Sequence, residues 1–199
     1  NLARLAEALL ALLEQEEGSE EAAIASAQEA LSVFAPQFEA AYVAGLRRKL
    51  GLLTEREGDA GLAQDLLERM AANRADFTLT FRRLSYAAAG PNGDEAVRAL
   101  FVDPSAYDIW AVAWRRRLEE EGVSAQERVA AMKTANPAFI PRNHLVQAVI
   151  DAAVQHQDFQ SFEDLLEVVS RPYEDRPGLE RYSTPARPEE CVLQTFCGT

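Results

Sequence analysis

The stretch DPSAYDIWAVAWRRRLEEEGVSAQE, residues 103–127, decides the fold class. Asp103 followed by Pro104 is a helix start: a side-chain acceptor at the N-cap, then a residue whose missing N–H costs nothing in the first turn. Tyr107, Trp110, Trp114 and Leu118 fall at i, i+3, i+7 and i+11, which is one face of an α-helix and has no strand period. Ser124, with Glu127 three residues on, has the form of a capping box opening the next helix.

The same grammar extends to both sides. Leu2, Leu5, Leu9, Leu12 and Leu13 mark one buried face of a first helix that Gly18 ends, and Ser19 caps a second whose first turn holds Glu20 and Glu21. Pro36 sits in the first turn of a third helix, with Phe38, Tyr42, Leu46 and Leu50 expected along its buried side and Gly51 as its stop. Leu62, Leu66, Leu67 and Met70 belong to a fourth, and Phe77, Phe81 and Leu84 to a fifth, closed by the turn AGPNGD at 89–94. Beyond the opening stretch, Pro141 starts a helix bearing Leu145, Val149, Ile150 and Ala153, and Ser161 caps one with Leu165, Leu166 and Val169. No alternating β-branched stretch competes with this pattern. The expectation is an all-α, multi-helix bundle over residues 1–170. From Arg171 onward Pro172, Pro177, Pro185 and Pro188 break every helical frame. Residues 171–199 are therefore expected to form an extended tail that docks on the bundle through Tyr173, Tyr182 and Phe196.

Composition narrows the function classes. Apolar residues make up 48% of the 199, enough for a core without disulfides or metal. The net charge of −12, from 32 acidic against 20 basic residues, repels phosphate backbones, so no nucleic-acid partner is expected. The longest apolar runs, near Leu9–Leu13 and Ala87–Ala89, are far too short to cross a bilayer. No membrane role and no secretory signal follow, which points to the cytoplasm, or to the mitochondrion if the source is eukaryotic.

Catalytic motifs are not found. His144 and His156 are the only histidines and form neither HExxH nor a Glu-x-x-His pair. Gly90 and Gly93 match no phosphate-binding loop, and there is no G-x-S-x-G elbow. The clusters Arg47-Arg48-Lys49 and Arg115-Arg116-Arg117 read first as basic helix ends that complement the dipole, and second as an anion-binding patch. Arg82-Arg83-Leu84-Ser85 has the look of a phosphorylation site but lies within an expected helix, where it reads as structural. Catalytic, cofactor-binding and metal residues are thus read as none, and Cys191 and Cys197 remain as redox candidates.

The segments NPAFIPRNHLVQAVIDAA (136–153) and FEDLLEVVSRPYEDRP (162–177), with a Cys near the terminus, resemble the C-terminal part of the selenoprotein O family. NLARLAEALLALL (1–13) and ADFTLTFRRLS (75–85) fit the same family in the same order. The resemblance implies a protein adenylyltransferase with a kinase-like fold, moving AMP from ATP to protein hydroxyls. It places the ATP- and Mg-binding residues before Asn1, so this chain would be the end of the kinase-like C-lobe plus a helical extension. The absence of an initiator Met and the start inside a helical pattern agree with that expectation. The partners implied are the N-terminal kinase-like region of the same chain and the protein substrates of the whole enzyme. Cys197 falls where some members carry selenocysteine, which implies redox control. The member motif with a second Cys three residues earlier has Gln194 here, so Cys191 is an irregular partner. A free-standing helical interaction module is the alternative.

Overall fold

The computed structural model describes residues 1–192 and 194, and among these it is helical throughout, with no strand. The chain divides into two compact units, Asn1–Leu46 and Arg47–Thr199.

In the first unit α1 (Leu2–Glu17) and α2 (Glu20–Ser32) form a hairpin, followed by the start of α3 (Phe34–Leu50). Gly18 makes the turn in the left-handed region at φ 84°, with its N–H on the Glu14 carbonyl. Ser19 then caps α2 by accepting from the Ala22 amide at 3.2 Å. Ala23 and Ala27 are buried, but no residue of α1 is. The leucine face expected in a core lies open instead: Leu5 is 56% exposed, and Phe38 on α3 is 57% exposed. Periodicity identifies an apolar face and does not supply the surface that covers it.

The second unit contains α4 (Asp59–Ala72), α5 (Phe77–Ala87), a 3₁₀ turn at Pro91–Gly93, α6 (Asp94–Arg98) and α7 (Pro104–Glu119). These are followed by α8 (Ala125–Ala135), α9 (Asn143–His156), α10 (Gln160–Ser170), α11 (Glu180–Ser183) and a second 3₁₀ turn at Pro188–Glu190. Helix α7 is the axis of this unit, and its aromatic stripe is buried along its whole length. The Trp110 and Trp114 rings stack with centroids 5.3 Å apart. Each indole N–H is satisfied at 2.9 Å by a carbonyl of another segment, Leu62 in α4 for Trp110 and Leu50 at the end of α3 for Trp114. The Tyr107 hydroxyl donates to Asp94 at the start of α6 at 2.6 Å. One helix face thus ties together three elements by apolar burial and by directional bonds that fix their register.

The capping box of α8 forms as the sequence predicts, with Ser124 and Glu127 bonding reciprocally at 3.3 Å. Gly51 ends α3 at φ 71°, and a Cβ there would lie 2.6 Å from the Met132 sulfur, so both conformation and space require glycine. Two helix starts are displaced from their expected positions. α9 begins at Asn143 and not at Pro141, because Arg142 is held extended by a bidentate pair with Asp76 at 2.8 and 3.0 Å. α10 begins before Ser161, because the Asp158 carboxylate accepts from both the Gln160 amide and the Ser161 hydroxyl. A smaller core of Phe139, Leu165, Val168 and Tyr182 joins α9, α10 and α11.

Trp114→Ala is expected to cost about 3–5 kcal/mol by chemical denaturation, as for other large-to-small changes in a packed core. Val112→Ala on the 71% exposed opposite face is expected to stay within about 0.5 kcal/mol. Equal effects would refute the assignment of the stripe as the core.

Candidate functional site

The strongest concentration of buried polar chemistry surrounds Arg82 in the middle of α5. Asp76 caps this helix, accepting from the Leu79 amide at 2.8 Å, and so sets the phase that turns Phe81, Arg82, Leu84 and Ser85 inward. The Arg82 side chain is only 5% exposed. Its Nη1 donates to the carbonyls of Lys133 and Asn136, at 3.2 and 2.8 Å, which are orphan acceptors at the end of α8. Its Nη2 donates to the Tyr173 carbonyl at 3.1 Å and to Asp175.

Asp175 gathers two more donors, the Tyr86 hydroxyl and Lys133 Nζ. Burial pushes its carboxyl up, but the bonds from Arg82, Tyr86 and Lys133 outweigh this and hold it well below the usual carboxylate range. Burial and the same carboxylate raise the Tyr86 phenol. Next to this cluster the Pro172 carbonyl accepts from the Ala138 and Phe139 amides. The buried Asn136 side chain donates to the Lys49 carbonyl at 2.8 Å and to the Ser85 hydroxyl at 3.3 Å. Lys49 Nζ in turn reaches the Ala135 carbonyl at 3.1 Å, and burial lowers its pKa. A cleft of about 430 Å³ borders the cluster, lined by Leu79, Arg83, Tyr86, Phe139, Asp175 and Arg176, among others. The arrangement is a clamp that joins the proline-rich segment to α5 and α8. Ser85, fully buried and bonded to the Phe81 carbonyl, is not accessible to a modifying enzyme.

Members of both basic clusters are likewise engaged inside the protein, while Arg48 and Arg116 stand exposed. Arg117 binds Asp59 at 2.7 Å and Glu121 at 3.0 Å, and Arg128 binds Glu121 at 2.8 Å. Arg115 binds Asp94 and the Ala87 carbonyl, and Arg47 pairs with Glu55. Burial raises the Glu121 carboxyl, but the Thr54 amide and hydroxyl, Arg128 and the Leu53 amide outweigh it and hold it at about 2. By position Arg47, Arg48 and Lys49 close α3 and Arg116 and Arg117 close α7, while Arg47, Lys49, Arg115 and Arg117 are also tied to other segments.

Among the sequence candidates, Cys191 is an exposed free thiol beside a cavity of about 380 Å³ that Asp76, Arg142 and His144 also line. Cys197 and Phe196 lie outside the described residues. Tyr182 is buried against Phe139, whereas Tyr173 is about half exposed and contributes its backbone carbonyl. Among the described residues no group of three or more His, Cys, Asp or Glu side chains could hold a metal ion. The Arg82–Asp175 clamp was missed at the sequence level. Its available signal was a charged residue at a position of α5 that the stripe of Phe81 and Leu84 carries inward.

Residues 1–170 match the family described as protein adenylyltransferase SelO. The chain belongs to the SelO family. Among curated relatives, the protein nucleotidyltransferase YdiU of Methylorubrum extorquens (strain PA1) is 56% identical over 205 residues, covering 100% of this chain and 41% of the relative. The corresponding protein of Bradyrhizobium diazoefficiens is 55% identical and that of Rhodopseudomonas palustris (strain BisB18) 53%, each over 100% of this chain and 40% of its own length. This SelO-family chain therefore spans about two fifths of the length of the curated relatives it matches. The two blocks that carry the sequence resemblance both contribute to the clamp, Asn136 from one and Asp175 from the other.

Glu121→Gln tests the buried carboxylate. A carboxyl held at about 2 stabilises the folded state fully above its ordinary pKa near 4.5 and loses that contribution as pH falls toward 2. The stability gap between wild type and Glu121→Gln is expected to be about 3 kcal/mol larger at pH 6 than at pH 2 by urea titration. A gap that does not change with pH would contradict the depressed pKa.

Proposed function

We propose that this chain is the C-terminal helical part of a protein adenylyltransferase, and that it supplies scaffold and not reacting groups. The supporting observation is where the buried cations go. Arg82, Arg117, Arg128 and Arg142 are each bonded to a carboxylate or carbonyl of this same chain. A site for ATP and a divalent cation needs the reverse: cations left free for phosphates and carboxylates left free for metal. The donor set described here does not fit that group, and no step of nucleotide chemistry is assigned to these residues. The reading is that they hold other parts of a longer enzyme in register, since positioning dominates phosphoryl and nucleotidyl transfer.

ATP, magnesium and protein hydroxyls are on this reading the business of the portion of the relatives' length that this chain does not span. The bacterial relatives and the lack of any described helix long and apolar enough to cross a membrane support a cytoplasmic placement. We also propose Cys197 as a redox group that pairs with a cysteine of that remaining portion. Two thiols would lose two protons and two electrons to a peroxide oxidant, which is reduced to water or an alcohol.

The purified 199-residue chain, incubated with α-labelled ATP, magnesium and protein acceptors, is expected to transfer no AMP. AMP transfer by this chain, abolished by a point substitution within it, would overturn the scaffold reading. Mass mapping of the full-length protein after peroxide treatment tests the thiol. A Cys197 that stays free, or joins only Cys191, would refute the pairing.

A further inference from the structure

The first unit carries an apolar surface that its own two helices do not cover. Helix α1 buries none of its residues, and Leu2, Leu5, Leu9 and Leu12 all stand exposed along it. Together with α2 and the start of α3 it walls a groove of about 470 Å³, lined mainly by apolar side chains including Leu2, Leu5, Leu9, Leu31, Val33 and Phe34. From Phe34 the surface continues along α3 as a ladder of stacked rings, Phe34 on Phe38 at 5.7 Å and Phe38 on Tyr42 at 6.0 Å. An apolar groove continuous with an aromatic ladder is the form that receives an amphipathic helix.

The surrounding charge selects among occupants. Arg4 is the single basic residue among the first 46, against eight glutamates, and it is already paired with Glu7 at 2.6 Å. A second copy would bring two such acidic rims together in a chain already at −12, so self-association is disfavoured. An apolar helix face flanked by Lys and Arg is the complementary partner. The relatives match this chain over its full length yet extend to about two and a half times that length, so they carry further polypeptide tethered to this surface. A tethered element needs little intrinsic affinity, because its effective concentration is in the millimolar range.

We propose that the groove between α1 and α2, with the Phe34–Phe38–Tyr42 ladder, is the docking surface for a basic-flanked amphipathic helix from the part of the longer enzyme outside this chain. The inference rests on the reading of this chain as part of such an enzyme, and it adds which surface makes the joint and with what chemistry.

The test co-expresses the tagged 199-residue chain with the stretch of the Methylorubrum extorquens relative that lies outside the match, so that the two can assemble as they fold. Co-purification is expected for the unaltered chain. Leu5→Asp with Leu9→Asp is expected to lower the yield of complex at least tenfold, and Phe38→Asp independently so. Val112→Asp with Val154→Asp, on exposed positions of α7 and α9, is expected to leave the yield unchanged. Circular dichroism is expected to match across all variants, since none of these side chains is buried. Failure to co-purify, or a yield indifferent to both sets of first-unit changes, overturns the proposal. So does a dimer of this chain alone that the α1 changes dissolve. AMP transfer separates the two readings: an active complex indifferent to these changes sinks the docking surface only, while a complex that depends on them but never transfers AMP sinks the enzymatic reading only.

Discussion

A guanidinium taken out of water is costly unless its donors find acceptors, and both Nη atoms of Arg82 find them on two separate stretches of chain, residues 133–136 and 173–175. From the middle of α5 these Nη donors end on the last turn and C-cap of α8, on the Tyr173 backbone and on Asp175, while the buried Nε finds no partner among the described residues. Removing either stretch would leave Nη donors of a buried charge unpaired as well. Residues 171–179, ahead of α11, have no helical ladder of their own, and the clamp gives the Pro172 and Tyr173 carbonyls their donors. The small core of Phe139, Leu165, Val168 and Tyr182 is assembled across the same junction.

The second unit follows one pattern throughout: apolar stripes bring helices together, and buried ionic or indole bonds fix which residue meets which. Trp110 and Trp114 do this for α4 and for the end of α3, and Glu121 for α7, α8 and the Leu53–Thr54 backbone. The buried arginines Arg82, Arg117, Arg128 and Arg142 are all bound within the protein. The first unit lacks this pattern, since α1 has neither buried apolar residues nor an ionic network reaching across it.

Much of the helical order was legible in residues alone. The stripe of α7, the caps at Ser19 and Ser124 and the stop at Gly51 all depend on local chemistry, which a sequence carries in full. Helix starts that depend on distant partners were not legible, as at Arg142, whose Asp76 lies 66 residues away. Exposure of Leu5 and Phe38 was missed for a related reason: an apolar stripe is written in the helix, and its cover is written elsewhere. Arg82-Arg83-Leu84-Ser85 has the look of a phosphorylation site but reads as structural within a helix, and Arg82 and Ser85 are indeed buried; their partners on α8 and at Asp175 are what the linear pattern does not carry. The redox reading of Cys197 rested on family resemblance and concerns a residue outside those described.

The dependence of the proline-rich segment on Arg82 is tested most directly by native-state hydrogen exchange at the Ala138 and Phe139 amides, both of which donate to Pro172. In Arg82→Met these two amides are expected to lose at least a hundredfold of their protection, while the α7 amides around Trp110 and Trp114 keep theirs. Unchanged protection at Ala138 and Phe139, or equal loss along α7, would contradict the clamp.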